Sequence, residues 1–432
     1  MRKLLLLPAA AACLGCNAFE TISGTIVDSR IYPGTTHSYC ISVPDGYDAS
    51  APACLYVGLD GPLYNAPAVI DSLIATGDMP LTIGVYFQPG VVCDAQGSTI
   101  RYNRSNEYDA IDDRLARFIA EELLPAATSR RTAAGLPILI TDNPEGRAIS
   151  GASSGGIGAF VAAWQRPDLF RRVYTTCATL VAMRGGDLMP ALMRKTEPLP
   201  LRIFMHDGSR DAWNPLFGHW YEQNRLMASA LSFAGYDLAT RWDDSAHSIK
   251  PGTELFPEAM KWLWRGYPSA IPPGTSANDC LAHILASDSG WHTATELPAP
   301  APADSLPYPN GTYAVRALPG SQWLETATAA SPGVWQKTYL LHDISFTDPG
   351  IAGLAFDTDG NLFAATAMGI QVADQNGRVR AILRYPAPGA PGAFAFVGHT
   401  LYVTIGDATY ARTIAAQAAP PAPATVKSQG QA

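Results

Sequence analysis

Ser153 stands at the centre of Gly151-Ala152-Ser153-Ser154-Gly155, a G-x-S-x-G pattern between a short apolar segment and a small-residue helix, Ala159 to Trp164. A serine hydroxyl becomes a nucleophile when a sharp strand-to-helix turn pushes it clear of a sheet. The flanking glycines let two backbones approach closely and tolerate that turn. The helix N-terminus behind it favours developing negative charge. Such a serine needs a base to take its proton and an acid to orient the base. In a strand-turn-helix setting the chain order is serine, acid, histidine. His247 lies in the loop after a late strand and is the expected base, whereas His206 ends an apolar strand and His219 starts a helix. The acid should follow the strand Leu201 to His206, and Asp207-Gly208-Ser209-Arg210-Asp211 offers two. Asp207 abuts the strand and precedes a glycine, as a turn former does. Asp211 reaches further across and is favoured, and Asp244 is a third candidate restricted by its closeness to His247. Oxyanion donors are expected at the Ser154 amide and in the loop Gly61 to Tyr64. Pro62 has no N–H there, and Leu63 is preferred to Gly61. The chemistry is acyl transfer through a serine ester, with no metal and no cofactor.

The elements that must position these residues read as alternating strands and helices. Gly24 to Val43 alternates and predicts an antiparallel pair. Ala53 to Leu59 and Leu81 to Phe87 are continuous apolar runs, the pattern of strands covered on both faces. Helices are expected at Ala68 to Thr76, Ala110 to Leu124 (ending at Pro125), Trp220 to Ala234 and Glu258 to Trp264. Pro137 to Thr141 and Arg147 to Ser150 bracket the approach to the Ser153 turn, and further strands are expected at Arg172 to Thr176, Leu201 to His206 and Leu238 to Trp242. The alternation implies an α/β fold with a mostly parallel sheet between two helical layers.

The 432 residues suffice for more than one core, and 47% hydrophobic with 16% charged residues describes a globular chain. A net charge of −8 argues against nucleic acid as a partner. Met1-Arg2-Lys3, the apolar run Leu4 to Leu14 and Gly15-Cys16 read as an export signal over 1–18, too short to span a bilayer. The mature chain is then periplasmic, at the cell surface or secreted. Among the seven cysteines no C-x-x-C pairs with a second ligand pair, so no zinc site is expected. Export permits a disulfide among Cys40, Cys54 and Cys93. Beyond the α/β unit, set at 24–267, proline-rich stretches mark a linker, 268–307. Short strands separated by Asp359-Gly360, Asn376-Gly377 and Gly406-Asp407 follow over 308–415. The tail, 416–432, rich in Ala, Pro and Gln, is expected to be disordered.

Several ordered motifs resemble one esterase group. They are Leu59-Asp60-Gly61, Arg104-Ser105-Asn106-Glu107-Tyr108-Asp109, Arg147-Ala148-Ile149-Ser150-Gly151, Arg166-Pro167-Asp168-Leu169-Phe170, Asp207 to Asp211 and Ala246-His247. Together they resemble the exported serine esterases of the enterochelin-esterase and feruloyl/acetyl-xylan esterase group, an α/β-hydrolase branch. The resemblance implies a three-layer α/β-hydrolase sandwich and carries Ser153, Asp211 and His247 over as a triad. It also implies ester substrates on sugars or small molecules. Arg104 and Glu107 are read as a loop-ordering pair. Tyr64, Tyr102, Trp213 and Trp220 stand near the expected mouth, with Tyr64 and Trp213 taken as substrate-binding, and core packing is the alternative for each of the four. Leu14-Gly15-Cys16 resembles the end of a lipobox, with Cys13 where that pattern has leucine, which implies a possible lipid anchor at Cys16. Gly350 to Phe363 and Met368 to Val379 resemble the gluconolactonase / senescence-marker-protein β-propeller family, and so imply a small all-β partial propeller. That family's metal-binding Asp is replaced by Ala352, so its metal site does not carry over. Asp357-Thr358-Asp359-Gly360 is read as a hairpin turn rather than a calcium loop. Two rival readings are a non-catalytic carbohydrate-binding surface protein and a sugar lactonase using the C-terminal region. The complete set of triad candidates opposes the first, and Ala352 opposes the second.

Overall fold

The computed structural model describes residues 19–286, 290–344 and 348–420. The expected export signal, with Cys16, lies outside them. The α/β part contains β1 (Phe19–Val27), β2 (Thr36–Pro44), β3 (Cys54–Leu59), α1 (Ala66–Ala75), β4 (Thr82–Phe87), β5 (Val91–Cys93), β6 (Thr99–Tyr102), α2 (Arg104–Tyr108) and α3 (Arg114–Phe118). It continues with α4 (Leu124–Thr128), β7 (Arg147–Ala152), α5 (Ser154–Gln165), β8 (Arg172–Thr176), α6 (Met189–Lys195), β9 (Arg202–Arg210), β10 (Trp213–Asn214), β11 (Gly218–His219), α7 (Trp220–Phe233), β12 (Asp237–Ala246) and α8 (Lys250–Trp264).

Ten strands form one sheet in the order β12-β9-β8-β7-β3-β4-β2-β5-β6, with β1 beside β2. From β12 to β4 all pairings are parallel, and the pairings of β1, β2, β5 and β6 are antiparallel. β3, β4, β7 and β8 are buried along their whole length, as continuous apolar runs between two helical layers must be. Side chains of a strand alternate between faces. Leu55, Val57 and Leu59 of β3 accordingly join a core with α3, α5 and α7, whereas Cys54 and Tyr56 join a second core with α1 and α8. This is the expected α/β-hydrolase-like sandwich.

Several elements differ from the sequence expectation. The helix expected to stop at Pro125 runs on: α3 passes through a π-type turn, Ile119–Leu123, into α4. Proline lacks an N–H and clashes with the carbonyl four residues back. The wider turn makes room for it, with Leu124 N–H donating to Ile119 O. The freed Glu121 carbonyl accepts from Arg30 instead, at 3.3 Å. Pro137 to Thr141, on the approach to the turn, makes two isolated bridges, Ala53 to Ile140 and Arg131 to Pro137. α8 begins at Lys250, well before Glu258, and carries Pro257 inside it. All five described cysteines are free, so no disulfide joins Cys40, Cys54 and Cys93. No helix among the described residues is long and apolar enough to cross a membrane.

The C-terminal part holds α9 (Asp279–Ile284), β13 (His292–Ala294), β14 (Ser305–Pro307), β15 (Tyr313–Ala317), β16 (Trp323–Thr328), β17 (Gln336–Leu340), β18 (Gly353–Phe356) and β19 (Leu362–Thr366). β20 (Gly369–Ala373), β21 (Val379–Leu383), β22 (Pro391–Val397), β23 (Thr400–Ile405) and β24 (Ala408–Thr413) complete it. They make three four-stranded antiparallel sheets, β13-β24-β23-β22, β14-β15-β16-β17 and β18-β19-β20-β21. The expected linker is therefore partly structural: it supplies α9, capped by Asn278, and β13, which closes the sheet of the last three strands. The expected disordered tail is ordered up to residue 420 where it meets the sheets. Gln417 O accepts from Thr358 N–H, and the Ala418 and Ala419 N–H groups donate to Gly398 O and Phe356 O. Residues 421–432 of that tail lie outside the described residues. Asp357 to Asn361 is a hairpin turn in which Asp357 accepts from the Asn361 backbone and side-chain amides at 2.7 and 2.8 Å.

The C-terminal part packs on the α/β part through polar and charged side chains. Glu197 receives Arg412 through two contacts of 2.7 and 2.8 Å, and Asn278 Nδ2 bridges Arg194 O and Arg380 O. Arg384 lies over the Trp164 ring and donates to Trp164 O and Gln165 O at 3.3 and 3.2 Å. Hydrogen bonds from a charged donor are worth about 2 kcal/mol. Arg384→Met is therefore expected to lower stability by about 2 kcal/mol in urea unfolding and to expose the chain after residue 290 to earlier proteolysis. An unchanged midpoint would show that this contact does not hold the two parts together.

Candidate active site

β7 ends at Ala152 and α5 starts at Ser154, so Ser153 is the whole turn. Its φ of 57° and ψ of −123° are unusual for a residue with a Cβ. Such a conformation costs about 1–3 kcal/mol and persists only where its surroundings enforce it. Here Ser153 N–H donates to Thr176 O at 3.0 Å, and Ser153 O accepts from the N–H groups of Gly156 (2.9 Å) and Thr179 (3.0 Å). The glycines are steric requirements. A Cβ on Gly151 would lie 2.2 Å from Gly155 O, and one on Gly156 would lie 2.9 Å from Thr175 Oγ1.

Ser153 Oγ lies 3.0 Å from His247 Nε2, and His247 Nδ1 lies 2.5 Å from Asp211 Oδ1. Asp211 Oδ1 also accepts from Ala212 N–H at 2.5 Å, and the Asp211 side chain has no solvent exposure. Burial by itself would raise its pKa. The hydrogen bonds from His247, Asp207 and Ala212 outweigh that and hold the carboxyl below the ordinary aspartate value. Ser153, Asp211 and His247 are thus brought together, and the alternatives are not. His206 Nε2 faces Asp243 at 2.9 Å, and Asp244 faces Arg210 on the surface at 3.6 Å. β9 runs on to Arg210, so Asp207 is a buried strand residue and not the expected turn former. His219 immediately precedes α7.

The loops after the strands hold this chain of three in place. Gly208 lets the end of β12 come close, since a Cβ there would meet Ser245 O at 2.2 Å. Thr179, which no sequence pattern marks, lies 3.3 Å from Ser153 Oγ and accepts from Trp220 Nε1 at 3.2 Å. The Trp220 ring meets His247 edge-on, with centroids 6.1 Å apart. Trp220 was expected at the mouth but is only 7% exposed, so it buttresses the histidine. Tyr64 is likewise not a mouth residue. It is 2% exposed, stacks on Phe256 and hydrogen-bonds Thr176 Oγ1 at 2.8 Å. Trp213, 66% exposed on the β10–β11 hairpin, and Tyr102, 79% exposed on β6, are the two expected aromatics that do face solvent.

Arg104 and Glu107 do not pair with each other. Arg104 grips Asp60 at 2.7 and 2.8 Å and reaches Ala152 O at 3.4 Å, tying the loop after β3 to the serine turn. Glu107 is buried and accepts from Asn103 Nδ2 at 2.7 Å and Gly90 N–H at 3.1 Å, with His37 Nε2 also at 3.1 Å. Of the expected oxyanion donors, Ser154 opens α5, where the first-turn N–H groups have no partner within the helix. Leu63 N–H already donates to Gly61 O at 2.9 Å, and Gly61 N–H to Phe87 O at 2.9 Å. Among the described residues no group of three or more His, Cys, Asp or Glu side chains is arranged to hold a metal ion.

Residues 33–238 match the family model described as "Putative esterase". Those residues are similar to that family and hold most of the α/β-hydrolase-like part of the chain. The match includes Ser153 and Asp211 and stops short of His247. No curated protein sequence matches the chain. Among solved structures, the chain is similar to a ferulic acid esterase at 17% identity and a TM-score of 0.45, covering 57% of this chain and 98% of that one. It is similar to the enterobactin esterase of Shigella flexneri at 19% identity and a TM-score of 0.42, covering 57% of this chain and 59% of that one. The feruloyl esterase module of Clostridium thermocellum, complexed with sinapinate, has 13% identity and a TM-score of 0.40, covering 58% and 90%.

The close backbone packing at the turn makes a direct prediction. Gly151→Ala forces a methyl group into the Gly155 backbone and is expected to destabilise the protein by about 3 kcal/mol, read as a lower urea midpoint. A variant as stable as the parent would mean that the turn is not held by this contact.

Proposed function

We propose that the chain is an exported serine carboxylester hydrolase that removes acyl groups, of acetyl or feruloyl type, from carbohydrate. The observation that carries the reading is the hydrogen-bonded line from Ser153 Oγ through His247 to buried Asp211. Ionised Asp211 accepts the Nδ1 proton of His247, which leaves the Nε2 lone pair directed at the Ser153 hydroxyl. Ser153 Oγ attacks the ester carbonyl carbon as its proton passes to Nε2. The tetrahedral oxyanion takes a hydrogen bond from Ser154 N–H at the start of α5, where the helix dipole also favours it. Leu63 N–H joins it only by exchanging Gly61 O for the oxyanion. Collapse expels the alcohol oxygen, which takes the proton from Nε2. Water, deprotonated by the same nitrogen, then cleaves the acyl-serine and restores the hydroxyl.

Trp213 supports the assignment of a substrate-facing wall. It lies two residues beyond Asp211, is exposed, and shares its hairpin with Leu216, which is 81% exposed. A flat aromatic face suits either a phenolic acyl group or a sugar ring. Export rests on the residues before Phe19, and a lipid anchor would be at Cys16. We read the three C-terminal sheets as propeller-type blades, a reading supported by β13 closing the last sheet from the opposite end of the region.

Hydrolysis of p-nitrophenyl acetate and methyl ferulate tests the function. Ser153→Ala is expected to lower kcat by about 10⁶-fold and Asp211→Asn by about 10⁴-fold, with EDTA leaving the parent rate unchanged. Turnover that survives in Ser153→Ala, or that EDTA abolishes, would refute the serine mechanism.

A further inference from the structure

Two carboxyl oxygens behind the histidine have no ordinary partner. Asp211 Oδ2 and Asp207 Oδ2 are both buried, and among the described residues neither receives a hydrogen bond from an N–H, hydroxyl or ammonium group. The two side chains flank one tight turn, closed by Asp211 N–H donating to Gly208 O at 2.9 Å, and each carboxyl shifts the titration of the other. We propose that Asp207 is a positioning residue, held as the neutral acid, whose O–H donates to Asp211 Oδ2 and fixes the carboxylate that orients His247. This rests on the triad reading above.

The partners decide which carboxyl keeps the proton. Asp211 Oδ1 has His247 Nδ1 and Ala212 N–H, whereas Asp207 Oδ1 has only Gly208 N–H, at 2.8 Å. Two buried carboxylates in contact cannot both ionise, so the better-served Asp211 takes the charge. The other groups facing Asp207 reinforce this. Asp243 on β12 adds negative charge, with His206 as its partner, and the Cys177 thiol beyond β8 is pushed up to about 12 by burial and by both aspartates. Neither Asp207 nor Asp211 has a lysine or arginine ion-pair partner among the described residues. Burial first, then Asp211, raises the Asp207 carboxyl to about 9. With its proton in place, both oxygens of Asp211 are held and the imidazole has one orientation toward Ser153.

Asparagine reproduces this arrangement, since its amide N–H can replace the acid O–H and its oxygen can still accept from Gly208. Alanine cannot. Asp207→Ala is expected to lower kcat by about 100-fold with little change in KM, and Asp207→Asn to restore it. The parent should lose kcat as pH rises through about 9, and Asp207→Asn should lack that limb. An Asp207→Asn enzyme as slow as the alanine variant, or one that keeps the limb, would overturn the proposal.

A stability measurement keeps the test separate from esterase activity. The unfolded chain releases the Asp207 proton at about pH 4, whereas the folded chain holds it to about 9. The group's contribution to stability is therefore full below the unfolded value and falls as pH rises across that window. In a Ser153→Ala background, the melting temperature of Asp207→Asn relative to its parent should climb from pH 5 to 9. A flat difference overturns the shared proton. A climbing difference, found while the enzyme with Ser153 intact turns over no ester, supports the carboxyl pair and sinks the esterase reading alone.

Discussion

The backbone of Ser153 is the constraint on which the rest depends. A residue with a Cβ at a φ of 57° stores strain that the fold must offset. The offset comes from the middle of the sheet. β7 lies between β3 and β8, so the strand that leads into the turn cannot shift without moving both neighbours. Thr176 O, at the end of β8, takes the Ser153 N–H, and Thr179 N–H beyond it takes the Ser153 carbonyl. Arg104 adds a third restraint by joining Asp60, at the end of β3, to Ala152 O. The β8 side thus contributes two ties and the β3 side one to the same turn.

The histidine arm uses a different device. β9 and β12 run parallel, and their register shifts between Asp243 and Ala246. That irregularity redirects the chain just before His247 and turns the ring back toward β7. Gly208 makes the approach sterically possible, and Asp211 waits in the loop two strands from the serine. The imidazole is then enclosed on three sides: Asp211 behind, Trp220 at its edge, Ser153 in front. Because Thr179 touches both Ser153 Oγ and Trp220 Nε1, the two arms share one hydroxyl. Their geometry is therefore set jointly.

What could be read from the sequence was what local chemistry alone demands. The glycines around Ser153 are dictated within five residues, and the apolar runs of β3 and β4 declare burial on both faces. Chain order then pointed to Asp211 and His247 without any knowledge of distance. The failures share a physical cause. Asp207-Gly208-Ser209-Arg210 is too polar to read as strand, yet pairing with β12 extends β9 through it. Tyr64 follows a loop that should face solvent, yet its positive φ of 61° turns the ring into the core against Phe256. Pro125 would end an isolated helix, but a π-type turn and Arg30, distant in sequence, absorb the disruption. In each case a contact far along the chain overrode the local preference.

The same logic extends to the C-terminal sheets. α5 starts directly after Ser153 and ends at Gln165, where the last carbonyls have no partner within the helix. Arg384, from the segment after β21, donates to the carbonyls of Trp164 and Gln165. A cation at that end complements the helix dipole, whose positive end lies at Ser153. Glu197, just beyond α6, accepts the Arg384 backbone N–H and also receives Arg412 of β24. The C-terminal sheets therefore grip the far end of the helix that follows Ser153, and grip it through charge. They need not reach the mouth of the site to matter to it. Arg384 satisfies the distal carbonyls and covers the Trp164 ring, so the end of α5 opposite Ser153 is held by the C-terminal region.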